Sequence, residues 1–535
     1  MSTPQKKKAK ATGKGKAMLK MLQPVAASLG VDIEADRIAP QVDITKPISH
    51  VARTLGQVLR RVNIFIQGDT IVTVDEITGD TKPMRADRFC SWVEEYVAIV
   101  KPKEDGMKVT SMNADMAAKV LVAGQFRAGL RKLAAVHSVR LPVWEEYGKT
   151  VRLLDAGYDE RTQVYTVDAL PYPLDMKPTA AVAFLLDIVK DYPWSDEGKL
   201  QDKRSLAVHL AAMMGNFVRL LFDEGTQKPV IVYNGNQPQT GKSTLARMSL
   251  SPVYGVPEDK ALPKSEDELR KELDAFAMAR RPYMFLDDVG GHLRSHLLNR
   301  FITSPMHTGR KMGTGELFTA PNVTQVFITG NGLTLSPDLA RRCLIVDLFY
   351  AGEARGRKFE RIITDALLAQ DSTREQFLAA FWALLRNWQD CCCNRHDNLL
   401  PSFEEWSAIV GGIIVEAGFC DPIKAAPELA MDEQGEAFKR LFCALASDLP
   451  TDTEKKHFDT TDCRVKGLEL DIWETLVVGL NDELKGFGRR LKDKGLLGRH
   501  WVDDHGRWFE FGDKKKIGKG SVYPFKFIPN PNATA

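Results

Sequence analysis

Residues Tyr233–Thr244 read Tyr-Asn-Gly-Asn-Gln-Pro-Gln-Thr-Gly-Lys-Ser-Thr. An apolar run, Val230–Tyr233, precedes them, and Leu245-Ala246-Arg247-Met248 follows. Strand, glycine-containing loop, Lys-Ser/Thr and helix is the order of a loop that wraps phosphates. Its backbone N–H groups point at the anion, and the helix N-terminus adds partial positive charge. Gly235, Asn236, Gln237, Pro238, Gln239, Thr240, Gly241, Lys242, Ser243 and Thr244 are therefore the candidate nucleotide-binding residues. Lys242 is placed for the β- and γ-phosphates and Ser243 for Mg²⁺, which implies ATP with Mg²⁺ as cofactors. The spacing departs from G-x-x-x-x-G-K-[ST]. Counting back from Gly241 reaches Asn236, and the nearest glycine, Gly235, is one residue too early. Two readings stay open. Either Asn236 makes the turn, since Asn tolerates positive φ, or the loop carries one extra residue.

Three further elements follow in order. Tyr283-Met284-Phe285-Leu286 is an apolar strand that ends in Asp287-Asp288. Paired acids there suit a phosphate-loop ATPase, with Asp287 in the Mg²⁺ shell and Asp288 orienting the attacking water. Thr324–Thr329 reads as a buried strand and ends in Gly330-Asn331-Gly332. Asn331 at that tip can position water or sense the γ-phosphate. Asp338-Leu339-Ala340-Arg341-Arg342 precedes another strand, Cys343–Leu348, and two adjacent arginines suit an arginine finger. Taken singly, each element is also compatible with an ordinary strand end or a solvated turn. Their order within 100 residues of Lys242 is what carries the reading.

That order resembles superfamily 3 helicases, a branch of the AAA+ ATPases found in phages, plasmids, satellites and small viruses. Asp267–Lys271, Leu286–Val289, Thr329–Gly332, Asp338–Arg342, Ser402–Trp406 and Val410–Gly412 are similar to stretches in the ATPase part of poxvirus-type primase–helicases of phages and mobile elements. The family often has Asn after the first acid, where this chain has Asp288. The resemblance implies a hexameric ring in which Arg341 or Arg342 enters the neighbour's site. It also implies a basic β-hairpin that grips DNA in the central channel. The matching stretch is His307–Glu316, with Arg310 and Lys311 between glycines, and such a tip follows phosphates without reading sequence.

Composition agrees with an ordinary globular chain: 44% hydrophobic and 27% charged residues leave enough apolar material for several cores. The net charge of +3 does not by itself announce a nucleic-acid binder, but its distribution is uneven. The first 20 residues hold seven lysines and no acid, and are expected to be a disordered basic tail that holds nucleic-acid phosphates or keeps the chain soluble. No export signal and no membrane-spanning run is legible, so a cytoplasmic site of action is expected, and the resemblance to phage and mobile-element proteins implies a bacterial host cell. The eight cysteines form no C-x-x-C pair, and the crowded Cys391–Cys393 cluster with His396 does not suit tetrahedral zinc.

The expected fold class is α/β: an AAA+ phosphate-loop ATPase core with helical flanks, an N-terminal α+β domain and a C-terminal winged-helix domain. The expected boundaries are a tail over 1–43, the α+β domain over 44–175, the ATPase with its helical lead-in over 176–350, a helical lid over 351–430 and the winged helix over 431–535. Within these, Ile48–Val62 is expected as helix, Asn63–Ile66 and Thr70–Val74 as a hairpin, and Ala86–Ala135 as helix-rich. Arg357–Ala369 and Arg374–Trp388 are helical by period, and Ser402 with Glu405 is expected to form a capping box. Between Lys485 and Lys519 there are eleven Lys/Arg against five Asp/Glu. Arg489, Arg490, Lys492 and Lys494 are the candidate DNA contacts on a helix, and Arg507 with Lys514–Lys516 those on a wing.

The reading is a replicative DNA helicase acting on single-stranded or forked DNA, with no primase centre legible and a primase left to a separate protein. Two rivals stay open: an origin-binding ATPase that melts one site, and a DNA-binding scaffold that uses nucleotide only as a switch.

Overall fold

The computed structural model describes residues 40–528, apart from 105, 168–169, 197, 312, 314, 351–355, 425–432, 451–456, 478–486, 488–489, 492–495, 498–499, 504, 506, 514 and 518–519. The lysine-rich tail, Arg489, Lys492, Lys494 and Lys514 lie outside the described residues. The chain divides into two compact units: residues up to Arg140 with Leu154–Leu170, and Leu141–Leu153 with Pro171 onward.

The first unit mixes helices and small sheets. Helix Ile48–Leu59 buries Val51, Leu55 and Val58 on one face. The expected hairpin is present, with Ile64–Gln67 antiparallel to Thr70–Val74 and Gly68 turning at φ 58°. The stretch Ala86–Ala135 is helical in part only. Ala98–Lys103 and Gly106–Val109 form an antiparallel pair between its helices. The cause is local: Ile99 and Val100 are β-formers, and a turn with Gly106 at φ 118° reverses the chain.

The second unit is built on a parallel sheet. Strand β1 is Val230–Gly235, and helix α1, Lys242–Tyr254, follows it directly. Helix α2 is Glu266–Met278, begun by the Ser265 side chain accepting from the Glu268 N–H. Next come β2 (Tyr283–Leu286), β3 (Met306–Arg310), β4 (Leu317–Pro321), β5 (Gln325–Asn331) and β6 (Cys343–Leu348). The four sheet strands lie in the order β2-β5-β1-β6, all parallel, and β3 and β4 form a separate antiparallel hairpin. Being covered on both faces, β1 is buried at every position, as continuous Val-Ile-Val-Tyr demands. Helix Arg204–Phe217 is likewise buried all round. It packs against α1 and β6, so it carries no polar stripe. Helices Asp371–Asp390 and Glu404–Glu416 pack beside it, with Trp388 and Trp406 fully buried as core rather than as stacking groups.

Two segments differ from the helical pattern of their sequence. The segment before Asp365 is not helical, and only Asp365–Ala369 forms a helix, capped by Thr364. Ser402 does not cap its helix: it sits at φ 73°, the helix starts at Glu404 behind Phe403, and no side-chain cap forms. Glu405 instead accepts from Thr226 at 2.6 Å.

The C-terminal part begins with α3, Glu433–Ser447, and two shorter helices, Thr460–Glu469 and Trp473–Val477. Strands His500–Val502, β7 (Trp508–Phe511) and Gly520–Phe527 fall where the aromatic runs predict them. His457–Asp459 and Lys515–Ile517 join them in a five-stranded sheet. Phe438, Phe442, Phe487, Phe509, Phe511 and Phe525 fill the core between helices and sheet. The Phe442 and Phe511 rings stack at 4.3 Å.

Candidate nucleotide site

Because β1, β2 and β5 are parallel, their C-terminal ends open on one edge, where ligands meet doubly covered sheets. Gly235, Leu286 and Asn331 mark that edge. The loop Asn236–Gly241 leaves β1 there and turns into α1. A Cβ on Gly235 would stand 2.5 Å from Thr240 Oγ1 and 3.0 Å from Lys242 Cδ, so the loop folds directly over a position that must be glycine. Gly241 adopts φ 101°, and a Cβ there would meet the Tyr192 ring at 2.6 Å.

Of the two readings of the spacing, the geometry favours the extra residue. Asn236 is not among the positive-φ positions; Gln239 (φ 64°) and Gly241 make the turn. Asn236 instead clamps the loop to the chain after β6. Its Nδ2 donates to the Tyr350 carbonyl at 3.0 Å, and its Oδ1 accepts from the Tyr350 N–H at 3.1 Å.

Lys242 reaches back along the loop, donating to the Gln237 carbonyl at 3.0 Å and to Thr240 Oγ1 at 3.2 Å. Burial pushes its ammonium below the ordinary lysine value, while Asp288 and Asp287 pull the other way. Ser243 Oγ donates to Asp287 Oδ1 at 2.7 Å, and Thr329 Oγ1 donates to the same oxygen at 2.5 Å. The other Asp287 oxygen lies 3.7 Å from Arg247. A serine hydroxyl beside a fixed carboxylate is a hard-oxygen donor pair of the kind Mg²⁺ takes. Asp288 is exposed next to this cluster in a left-handed conformation, φ 55°, with its N–H donating to Thr329 Oγ1 at 2.9 Å. Asp and Asn are the non-glycine residues that best accept that backbone.

Asn331 faces Gly235 across the sheet register. Its amide oxygen is buried and finds no hydrogen-bond partner among the described residues, as befits a group kept for a ligand. Beneath it Asn234, buried on β1, donates to Asp347 at 3.2 Å and accepts from the Leu333 N–H at 3.0 Å. Burial raises the Asp347 carboxyl to about 6.

Several of these residues were not read from the sequence. Thr329 had a signal: it is two positions from Asn331, so alternation puts both on one face of β5. Arg247 had the signal of one helical turn after Ser243. Arg357, in the segment expected as helix, donates to the Thr240 carbonyl at 3.1 Å and to the Asp191 carbonyl at 2.6 Å. Nothing local in the sequence marks it, because its partners come from two distant segments.

The remaining candidates are not all brought to this edge. Arg341 and Arg342 stand at the opposite end of the sheet, where the Arg342 carbonyl accepts from the Val230 N–H at 3.0 Å. The register between β1 and β6 puts Leu348, not Cys343, beside Gly235. Six strand residues at about 3.3 Å each separate the two ends. Arg342 is 16% exposed and turned onto Asp338, whereas Arg341 is 66% exposed and pairs with Asp338 at 2.6 Å from the solvent side. Arg310 lies at the exposed end of β3, and Lys311 pairs with Glu316 across the hairpin tip at 3.0 Å. In the C-terminal part, Arg490 donates to the Leu476 carbonyl at 3.1 Å. Arg507, expected on an exposed wing, is bound inward. It meets Asp503 at 2.7 Å and the carbonyls of Leu449 and Ala446 at 2.7 and 2.9 Å, and lies over the Phe527 ring.

No protein-family model and no curated protein matches this chain. Among solved structures, it is similar to the apo C-terminal region of NrS-1 at 10% identity and a TM-score of 0.37, covering 89% of this chain and 99% of that one. It is also similar to JCV helicase at 14% identity and a TM-score of 0.23, covering 46% of this chain and 74% of that one. Likenesses at these scores decide neither fold nor function. Among the described residues, no helix is long and apolar enough to cross a membrane.

Proposed function

We propose that this chain is an ATP-dependent DNA helicase of the superfamily 3, AAA+ type, working as a homo-hexameric ring on single-stranded or forked DNA. The observation that carries this is the single cluster of Ser243, Asp287 and Thr329, with Lys242 and the orphaned Asn331 oxygen on the same sheet edge. Loop N–H groups and Lys242 bind the triphosphate. Ser243 and Asp287 are the residues that would hold Mg²⁺, which supplies charge neutralisation to the phosphates. Asp288, exposed beside them, accepts the proton of the attacking water, and Asn331 orients that water. The large distance between Arg341 and the phosphate loop of its own chain supports a finger that acts in a neighbour's site. Arg310 and Lys311 at the hairpin tip follow the phosphates of the strand.

The test is phosphate release with and without single-stranded DNA, comparing the natural chain with Lys242→Ala. Hydrolysis that rises with DNA and disappears in the variant supports the proposal, and strand displacement should then depend on the same residue. Nucleotide binding without hydrolysis, even with Mg²⁺ and DNA, would sink it in favour of a nucleotide-switched scaffold.

A further inference from the structure

The C-terminal part touches the nucleotide edge at two separate points. On one side the Lys439 ammonium, from α3, donates to the Gly332 carbonyl at 3.3 Å. Gly332 directly follows Asn331, and its N–H donates to the Gly235 carbonyl at 2.8 Å, at the root of the phosphate loop. On the other side, the Trp508 ring of β7 packs edge-on against Phe349 at 4.8 Å. The next residue, Tyr350, is the one that Asn236 and Gln237 grip: its carbonyl accepts at 3.0 and 2.8 Å.

The two contacts belong to one packed piece. Lys439 is the neighbour of Phe438, whose ring lies in the aromatic core together with Phe509 and Phe511 of β7. Arg507, adjacent to Trp508, is fastened to the carbonyls of Ala446 and Leu449 at the end of α3. A shift of the C-terminal part therefore moves Lys439 and Trp508 together. One moves the turn that holds Asn331, and the other moves the chain that holds the phosphate loop.

We propose that Lys439 is a positioning residue for hydrolysis, and that through it the C-terminal part sets the alignment of Asn331. Asn331 is the last residue of β5, paired with Gly235, and the chain turns directly after it at Gly332, φ 55°. Inside the sheet that turn is held by the Gly332 and Leu333 N–H groups, and the Lys439 cation on the Gly332 carbonyl holds it from outside, one residue from Asn331. The proposal rests on the ATPase reading above, and it makes hydrolysis responsive to whatever the C-terminal part binds.

The experiment compares the natural full chain with Lys439→Met, which keeps the stem and removes the charge, and Lys439→Arg, which keeps a donor. The residue is partly exposed, so both variants should fold, and a thermal melt checks this. The expected result is a kcat about tenfold lower in Lys439→Met with KM within about twofold, restored by Lys439→Arg, as for loss of alignment rather than of substrate binding. In the nucleotide-free protein, amide exchange across Thr329–Leu335 should speed up in Lys439→Met. An active natural chain whose kcat survives Lys439→Met overturns the proposal, as does unchanged exchange in that turn. Should the natural chain not hydrolyse ATP at all, the proposed function fails on its own account. The exchange measurement then still decides whether Lys439 holds the turn.

Discussion

Asp347 is a half-buried carboxyl on β6, in register with Asn234 beneath the phosphate loop. It holds the Asn234 amide, which in turn holds the Leu333 N–H, so it underpins both β1 and the Asn331 turn. Burial opposes its ionisation and raises it from an ordinary 3.8 to about 6, although hydrogen bonds with Ser195 and Asn234, and then Arg204, act in the other direction. A carboxyl raised by folding binds its proton more tightly in the native chain than in the unfolded one. Its contribution to stability is full below 3.8 and is lost as pH rises through about 6. Asp347→Asn keeps an oxygen for Asn234 and removes the charge. The variant should melt above the natural chain at pH 8, and the gap should close by pH 4. Equal midpoints at pH 8 would mean that Ser195, Asn234 and Arg204 already compensate the charge.

The β3–β4 hairpin has a fixed base and a charged tip. Asp274 of α2 accepts from the Arg310 N–H at 3.3 Å and meets His307 Nε2 at 2.7 Å, while Gly309 leaves no room for a Cβ against Asp274 and Phe318. The base therefore holds Arg310 by its backbone and leaves its side chain on the exposed face. If that side chain meets a DNA phosphate, Arg310→Ala should weaken binding alike for every sequence. It should also flatten the plot of log affinity against log salt by about 0.7 for a single strand. An unchanged salt slope in fluorescence anisotropy would remove Arg310 from the DNA path. At this scale most of the arrangement is legible in the sequence. Val230–Tyr233, Tyr283–Leu286, Thr324–Thr329 and Cys343–Leu348 are apolar runs that have no choice but to be buried strands, whereas the hairpin comes from the family resemblance, the glycines around two basic residues only fitting its tip. What escaped has a common cause. Gln239 rather than Asn236 takes the positive φ because Asn236 is engaged by Tyr350. The chain before Asp365 stays irregular while the Glu360 and Arg361 N–H groups donate to the Asp191 carboxylate at 2.9 and 3.0 Å. Arg507 folds inward because Asp503 and three aligned carbonyls compete with solvent for it. In each case a partner far along the chain overrides a local preference.

Across the whole molecule, the parallel sheet separates the two halves of the proposed reaction centre. Lys242, Ser243 and Asp287 stand at the C-terminal edge, and Arg341 stands at the far end beside Val230. One chain cannot bring them together without unfolding its own sheet, whereas a head-to-tail ring presents the far end of one subunit to the near edge of the next. This makes two inactivating changes complementary. Lys242→Ala removes the loop but leaves a finger to lend, and Arg341→Ala removes the finger but leaves an intact loop. Each variant alone should hydrolyse ATP at a small fraction of the natural rate. Mixed in equal amounts and allowed to exchange subunits, they should regain hydrolysis, up to about a quarter of the natural rate, since that fraction of random interfaces pairs an intact loop with an intact finger. Arg342, turned onto Asp338, should not substitute for Arg341, so Arg342→Ala mixed with Lys242→Ala tests which arginine crosses. Recovery with Arg342→Ala and none with Arg341→Ala would reverse that assignment. No recovery in either mixture would place both arginines outside the reaction and remove the geometric argument for a ring.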